Sequence, residues 1–159
     1  MVERDLTPYA VTLLRVALGV MFLAHSLMLK LLVFGLAGNA QFFSSLGLPG
    51  WLGYVVFAAE VIGGTMLVLG IQARWAALAL TPILAGATWA HWDNGWMFGY
   101  EGGGWEYPLY LTVLAIAQFL LGDGRFALQP SGGLSRLLQR ATPSHRASDR
   151  AVSGGESHA

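Results

Sequence analysis

The chain has no cysteine. Disulfides, thiolate metal sites, iron–sulfur ligation and any thiol relay carried by the chain itself are thereby excluded, so redox chemistry would need a bound cofactor or a partner. Charge is also scarce: 11% of the 159 residues are charged, against about 25% in soluble domains. Nine basic and nine acidic residues give a formal net charge of zero, and bulk charge offers nothing to a nucleic acid. No internal repeat is evident, which argues against a small transporter. The glycines at 102–104 lack the following Gly-Lys-Ser/Thr of a phosphate loop, and no strand precedes them.

What is abundant is apolar surface, 55% of residues, and it is gathered into runs. The reading is all-α: a transmembrane four-helix bundle with a re-entrant or lid-like loop between helices 3 and 4. One membrane domain covers 1–128, with spans at about 9–32, 51–69, 75–92 and 106–121. The first run is read as a retained helix rather than a cleaved leader, because Arg4 sits between Glu3 and Asp5 and Arg15 would interrupt the apolar region. Between the first two spans, Gly35, Gly38, Asn39, Gly47 and Pro49 leave room for a short interfacial helix around Ala40 to Leu46. Pro82 is expected to kink the third span, and Pro108 suits the first turn of the last. From Gln129 onward Ser, Gly, Pro and Arg dominate, and 129–159 is expected to form a disordered cytoplasmic tail.

The second span carries one carboxylate, Glu60, at its middle. A carboxylate at that depth costs about 2.5 to 3.5 kcal/mol on insertion scales unless something polar meets it. Stepping about 100° per residue sets Gly53, Phe57, Glu60 and Gly64 on one face, where small residues admit a neighbouring backbone. On the first span Arg15, Gly19, Phe22, Ser26 and Lys30 share a stripe, with His25 about 80° from Arg15. Together with His91 and Glu106, these ionisable groups are expected to converge on a buried polar site. Glu60, His91 and His25 are its candidate proton-handling groups, and Arg15, His25, Lys30, Glu60, His91 and Glu106 its candidate ligand-binding set.

Each residue also has a plainer explanation. Lys30 and Arg15 can snorkel, Glu106 can complement a helix N-terminus, and His91 can sit in an interfacial belt. Glu60 lies too deep to snorkel and must be neutral, paired or hydrogen-bonded to a ligand. Haem between His25 and His91 is disfavoured because no helix carries the paired histidines of a multi-haem bundle, and no tight spacing such as His-x3-His favours a metal.

Arg4, Arg74, Arg125, Arg136, Arg140, Arg146 and Arg150 fall on one side of a four-span arrangement and Lys30 alone on the other. A multi-pass protein of the inner (plasma) membrane with both termini cytoplasmic is therefore expected. Trp51, Trp89, Trp92, Trp96 and Trp105 would form an outer aromatic belt, with Trp75 at the inner interface.

These residues resemble the DoxX family of small four-helix membrane proteins, from about Leu13 to Leu128. The resemblance rests on Leu14-Arg15-Val16-Ala17-Leu18-Gly19, His25 followed by Lys30, Ser45-Leu46-Gly47-Leu48-Pro49, Glu60-Val61-Ile62-Gly63-Gly64, Gly70 with Arg74, and His91. It continues through Gly102-Gly103-Gly104-Trp105-Glu106-Tyr107-Pro108 and Gly122-Asp123-Gly124-Arg125. It implies an accessory membrane subunit of a quinone-linked redox system, working with a membrane or peripheral redox partner and not as an autonomous enzyme. A bound quinone is the cofactor it brings to mind. Self-association stays open, and a membrane assembly or scaffold factor with a purely structural polar core is the alternative.

Overall fold

The computed structural model describes residues 5–132. Every regular element among them is helical. Helix α1 (Thr7–Leu23) runs without a break into a π-helical segment (Ala24–Val33), followed by α2 (Gly35–Ser45), α3 (Trp51–Leu69), α4 (Ala73–Ala90), a 3-10 turn (Trp92–Asn94) and α5 (Glu106–Leu121). Two of these helices are long and apolar enough to cross a membrane, the continuous Thr7–Val33 and Trp51–Leu69. α5 is a shorter apolar helix.

The helix ends follow from local chemistry. Pro8 occupies the first turn of α1, where a missing N–H removes no bond. Gly70 closes α3 in the left-handed conformation, a position that penalises a Cβ. α4 stays continuous through Pro82.

α1 packs on α3, α3 on α4, α4 on α5, and α5 back on α1, while α2 lies against α3 and the π-helical segment. The core where the ring closes is built from Leu18, Phe22, Leu67, Ala77, Leu80, Leu111 and Ala115. α1 and α3 come closest at Gly19 and Gly64: a Cβ added to Gly19 would stand 2.8 Å from the Gly64 carbonyl oxygen. The outer faces remain apolar, with Leu13, Leu32, Ile62 and Leu120 all exposed, the pattern of helices whose outside meets hydrocarbon rather than water.

The stretch from 122 to 131 returns across the end of the molecule that carries the start of α1. Arg125 N–H donates to the Pro8 carbonyl at 3.1 Å, and Gln129 exchanges backbone bonds with Gly70 (3.1 Å) and Gln72 (2.8 Å). The tail expected from Gln129 onward thus begins with paired residues, and 133–159 lies outside the described residues. At the other end, the 93–105 stretch folds on itself. Trp105 N–H bonds the Gly95 carbonyl, Asn94 Nδ2 donates to the carbonyls of Gly102 and Gly103 at 2.9 Å each, and Trp92 stacks on Trp105 at 4.7 Å.

Candidate functional site

The π-helical segment carries three of the polar residues, His25, Ser26 and Lys30. Its hydrogen bonds reach one residue further back than those of an α-helix, as in Phe34 N–H to the Leu29 carbonyl at 2.9 Å. Such wide turns are rare, occur mostly as single inserted turns, and are frequent at functional sites. Here the segment lasts ten residues and faces Glu60 on α3.

Glu60 is buried and fully engaged. Lys30 Nζ donates to Oε1 at 2.7 Å and to Oε2 at 2.6 Å, and Ser26 Oγ donates to Oε2 at 2.7 Å. Ser26 is wholly enclosed, while the Lys30 side chain keeps 16% of its surface accessible. The pair therefore sits at the edge of the packed interior, with the Lys30 side chain the more accessible of the two. A lone carboxylate there would be untenable; a carboxylate with three donor contacts is not.

His25 is half-buried and within charge-interaction range of Lys30, Glu60 and His91. His91 caps the end of α4, with its ring 6.3 Å from that of Phe42, and its Nδ1 lies 2.8 Å from the Ala87 carbonyl oxygen. A carbonyl only accepts, so Nδ1 is the donor in this contact.

The remaining two candidates stand elsewhere. Glu106 Oε1 accepts from Phe98 N–H at 3.0 Å, and its own N–H bonds the Trp96 carbonyl at 3.1 Å, so this carboxylate fastens the 93–105 stretch. Arg15 lies at the middle of α1, with its side chain against Gly70 and bonded to the Arg125 carbonyl at 3.4 Å. Gly70 is ten residues beyond Glu60, roughly 15 Å along a helix. The structure thus joins Lys30 to Glu60, sets His25 in charge-interaction range of that pair and of His91, and ties Arg15 and Glu106 to other partners. Ser26 was not among the residues singled out for the site, although its place on the stripe with Lys30 was the signal that pointed to it.

Among the described residues no three His, Asp or Glu side chains gather as a metal would require. An apolar groove of about 390 Å³ runs between α3 and α4, lined by residues that include Ala59, Ile62, Gly63, Met66, Trp75 and Leu80. It lies on another face of α3 from the ion pair, yet it starts at the residue adjoining Glu60.

The DoxX family profile matches residues 10–92, a stretch that holds Ser26, Lys30, Glu60 and His91. The chain is similar to a Bacillus subtilis (strain 168) protein named "Putative oxidoreductase CatD", 34% identical over 118 residues that cover 74% of this chain and 83% of that protein. No solved structure matches significantly.

Proposed function

The chain belongs to the DoxX family and is a membrane protein, and from that premise we propose that it serves as an accessory subunit of a quinone-linked redox system. In this reading α1, α3, α4 and α5 are the four spans of a plasma-membrane bundle with cytoplasmic termini. Glu60 lies in a polar site that handles protons beside a small hydrophobic ligand.

The observation that carries the reading is the Lys30–Glu60 pair, held with Ser26 inside an otherwise apolar packing. A buried ion pair is a weak stabiliser, because the desolvation of both charges offsets their attraction, and apolar residues of similar volume would serve stability as well. Ionisable groups at membrane depth are for that reason read first as functional. A quinone would supply a two-electron carrier that takes up two protons, with the electrons coming from a partner redox protein. Lys30 has a third N–H to offer a ring carbonyl. Ser26 can pass a proton to or from Glu60 Oε2, and His25 links that carboxylate to the opening. The groove beginning at Ala59 gives an apolar tail somewhere to lie. The name of the relative, an oxidoreductase, agrees with the redox assignment.

One observation favours the scaffold reading: Ser26 and Lys30 already satisfy Glu60, so the polar core needs no ligand to be stable. The two readings separate on purification in mild detergent, with mass spectrometry of the lipid extract and of co-purifying proteins. The redox reading expects a stoichiometric quinone that falls at least tenfold in a folded Glu60→Gln protein. Wild-type protein without quinone, whose partner capture survives both Glu60→Gln and His91→Ala, would establish the scaffold.

A further inference from the structure

At the end of the molecule opposite Lys30, charge is buried with its hydrogen-bonding capacity largely unused. Arg15 is 1% exposed. Of its five N–H donors, one makes a long 3.4 Å contact from Nη2 to the Arg125 carbonyl, while Nε and Nη1 are buried without a hydrogen-bond partner among the described residues. Arg74 repeats the pattern: its Nε and Nη1 are also buried and unpartnered, and its guanidinium lies 5.9 Å from the Phe119 ring centre. Both guanidinium groups lie beneath the same short stretch. Arg15 bonds the carbonyl of Arg125, and Arg74 Nη2 would stand 2.7 Å from a Cβ on Gly122.

The carboxylate in charge-interaction range of Arg15 is that of Asp123, but its oxygens are spent elsewhere. They accept from Arg74 backbone N–H (3.1 Å), Ser131 N–H (2.7 Å) and Ser131 Oγ (2.9 Å). Arg125 is exposed and its guanidinium lies over the rings of Tyr9 (5.1 Å) and Phe126 (5.6 Å). A buried cation whose donors go unused is among the more costly arrangements in a protein interior. Several donors from two planar forks are what a phosphate group, with its multiple acceptor oxygens, can satisfy at once.

The cover over the arginines is fastened at Thr12, Pro8 and Gly70 and carries backbone strain between these ties. Phe126 (φ 57°) and Gln72 (φ 47°) both hold left-handed backbone, a region that non-glycine residues seldom occupy, and the side-chain contacts from Arg15 (3.4 Å) and Gln72 (3.5 Å) to the cover are both long. We propose that Arg15 and Arg74 form a binding site for a phosphate group, with the Arg125 carbonyl as the placeholder that the phosphate displaces. An anionic phospholipid headgroup and a soluble phosphate share this recognition chemistry. The inference does not depend on the redox reading.

The test is thermal unfolding of the full chain in detergent micelles. In one arm inorganic phosphate replaces chloride at constant ionic strength; in the other phosphatidylglycerol replaces phosphatidylcholine. One arm is expected to raise the midpoint by about 5 °C at saturation, and which arm does so identifies the source. Arg74→Gln should weaken the apparent affinity at least tenfold, and Arg15→Gln likewise if it folds. Arg125→Gln, which keeps the backbone carbonyl and removes an exposed charge, should retain the response. No rise in either arm, or an equal rise in Arg74→Gln, overturns the proposal.

Discussion

Removing one half of a buried ion pair strands the other half, whereas removing both leaves ordinary apolar packing. Lys30 and Glu60 approach within 2.6 Å, so the single changes Lys30→Met and Glu60→Met should each destabilise the protein by about 3–5 kcal/mol. The double variant should recover most of that loss. Unfolding titrations of the four proteins measure the coupling; additive losses would mean that the two side chains do not depend on each other. Ser26→Ala removes one hydrogen bond to a charged acceptor and should lose about 1.5–3 kcal/mol. The same residues explain why a sequence reading could rank Glu60 first and still leave its partner open. Periodicity put Arg15 and Lys30 on one stripe, but only the fold shows that Arg15 is turned to the 122–131 stretch while Lys30 reaches Glu60.

Between elements, the tightest constraint is the α1–α3 crossing. A methyl on Gly19 would meet Val68 Cγ2 at 2.7 Å and the Gly64 carbonyl oxygen at 2.8 Å, and the latter belongs to backbone that cannot rotate away. Gly19→Ala should therefore push α1 from α3 and destabilise by about 1–3 kcal/mol, loosening Ser26 and Lys30 from Glu60 along with it. Gly86, in α4, has nothing within 4 Å of an added Cβ, so Gly86→Ala should stabilise by about 0.5–1 kcal/mol. Opposite signs for the two glycine substitutions, read as unfolding midpoints, check that packing rather than helix propensity governs the crossing. Much of this level was legible beforehand. Of the stripe Arg15, Gly19, Phe22, Ser26 and Lys30, the first four are buried and Lys30 is partly accessible, and the apolar runs 51–69 and 106–121 are helices with those bounds. The π-helical stretch was not, because its composition is that of any apolar helix and the i to i+5 bonding depends on what α3 and α2 press against it. Glu106 was placed correctly at a helix start, but its attachment to Phe98 N–H depends on how the 93–105 stretch folds back, which no periodicity encodes. Asp123, which ties Arg74 to Ser131, stands out in the sequence only as part of the Gly122-Asp123-Gly124-Arg125 motif.

At the scale of the molecule, the two ends differ in chemistry. One end gathers the start of α1, the turn after α3 and the 122–131 stretch, linked by Arg125 to Pro8 and Gln129 to Gln72, and it carries Arg15, Arg74 and Arg125. The other holds the 93–105 stretch, which has no Lys or Arg, with exposed Trp92, Trp96, Phe98 and Tyr100, and carries Lys30. The proposed orientation puts the basic end on the cytoplasmic side and the aromatic end at the opposite interface. The absence of native cysteine makes this directly measurable with single introduced thiols. Gly99 and Gly132 both face open space and Thr7 is exposed, so replacing each by cysteine should leave the fold intact. A membrane-impermeant maleimide should label Gly99→Cys in intact cells, and should label Thr7→Cys and Gly132→Cys only after the membrane is opened. Because the fold fixes Thr7 and the 129–132 stretch at the same end, those two must behave alike whatever the orientation. Labelling of one without the other would contradict the packing of 122–131 across α1, whereas a joint reversal would leave the fold standing and overturn only the assignment of sides.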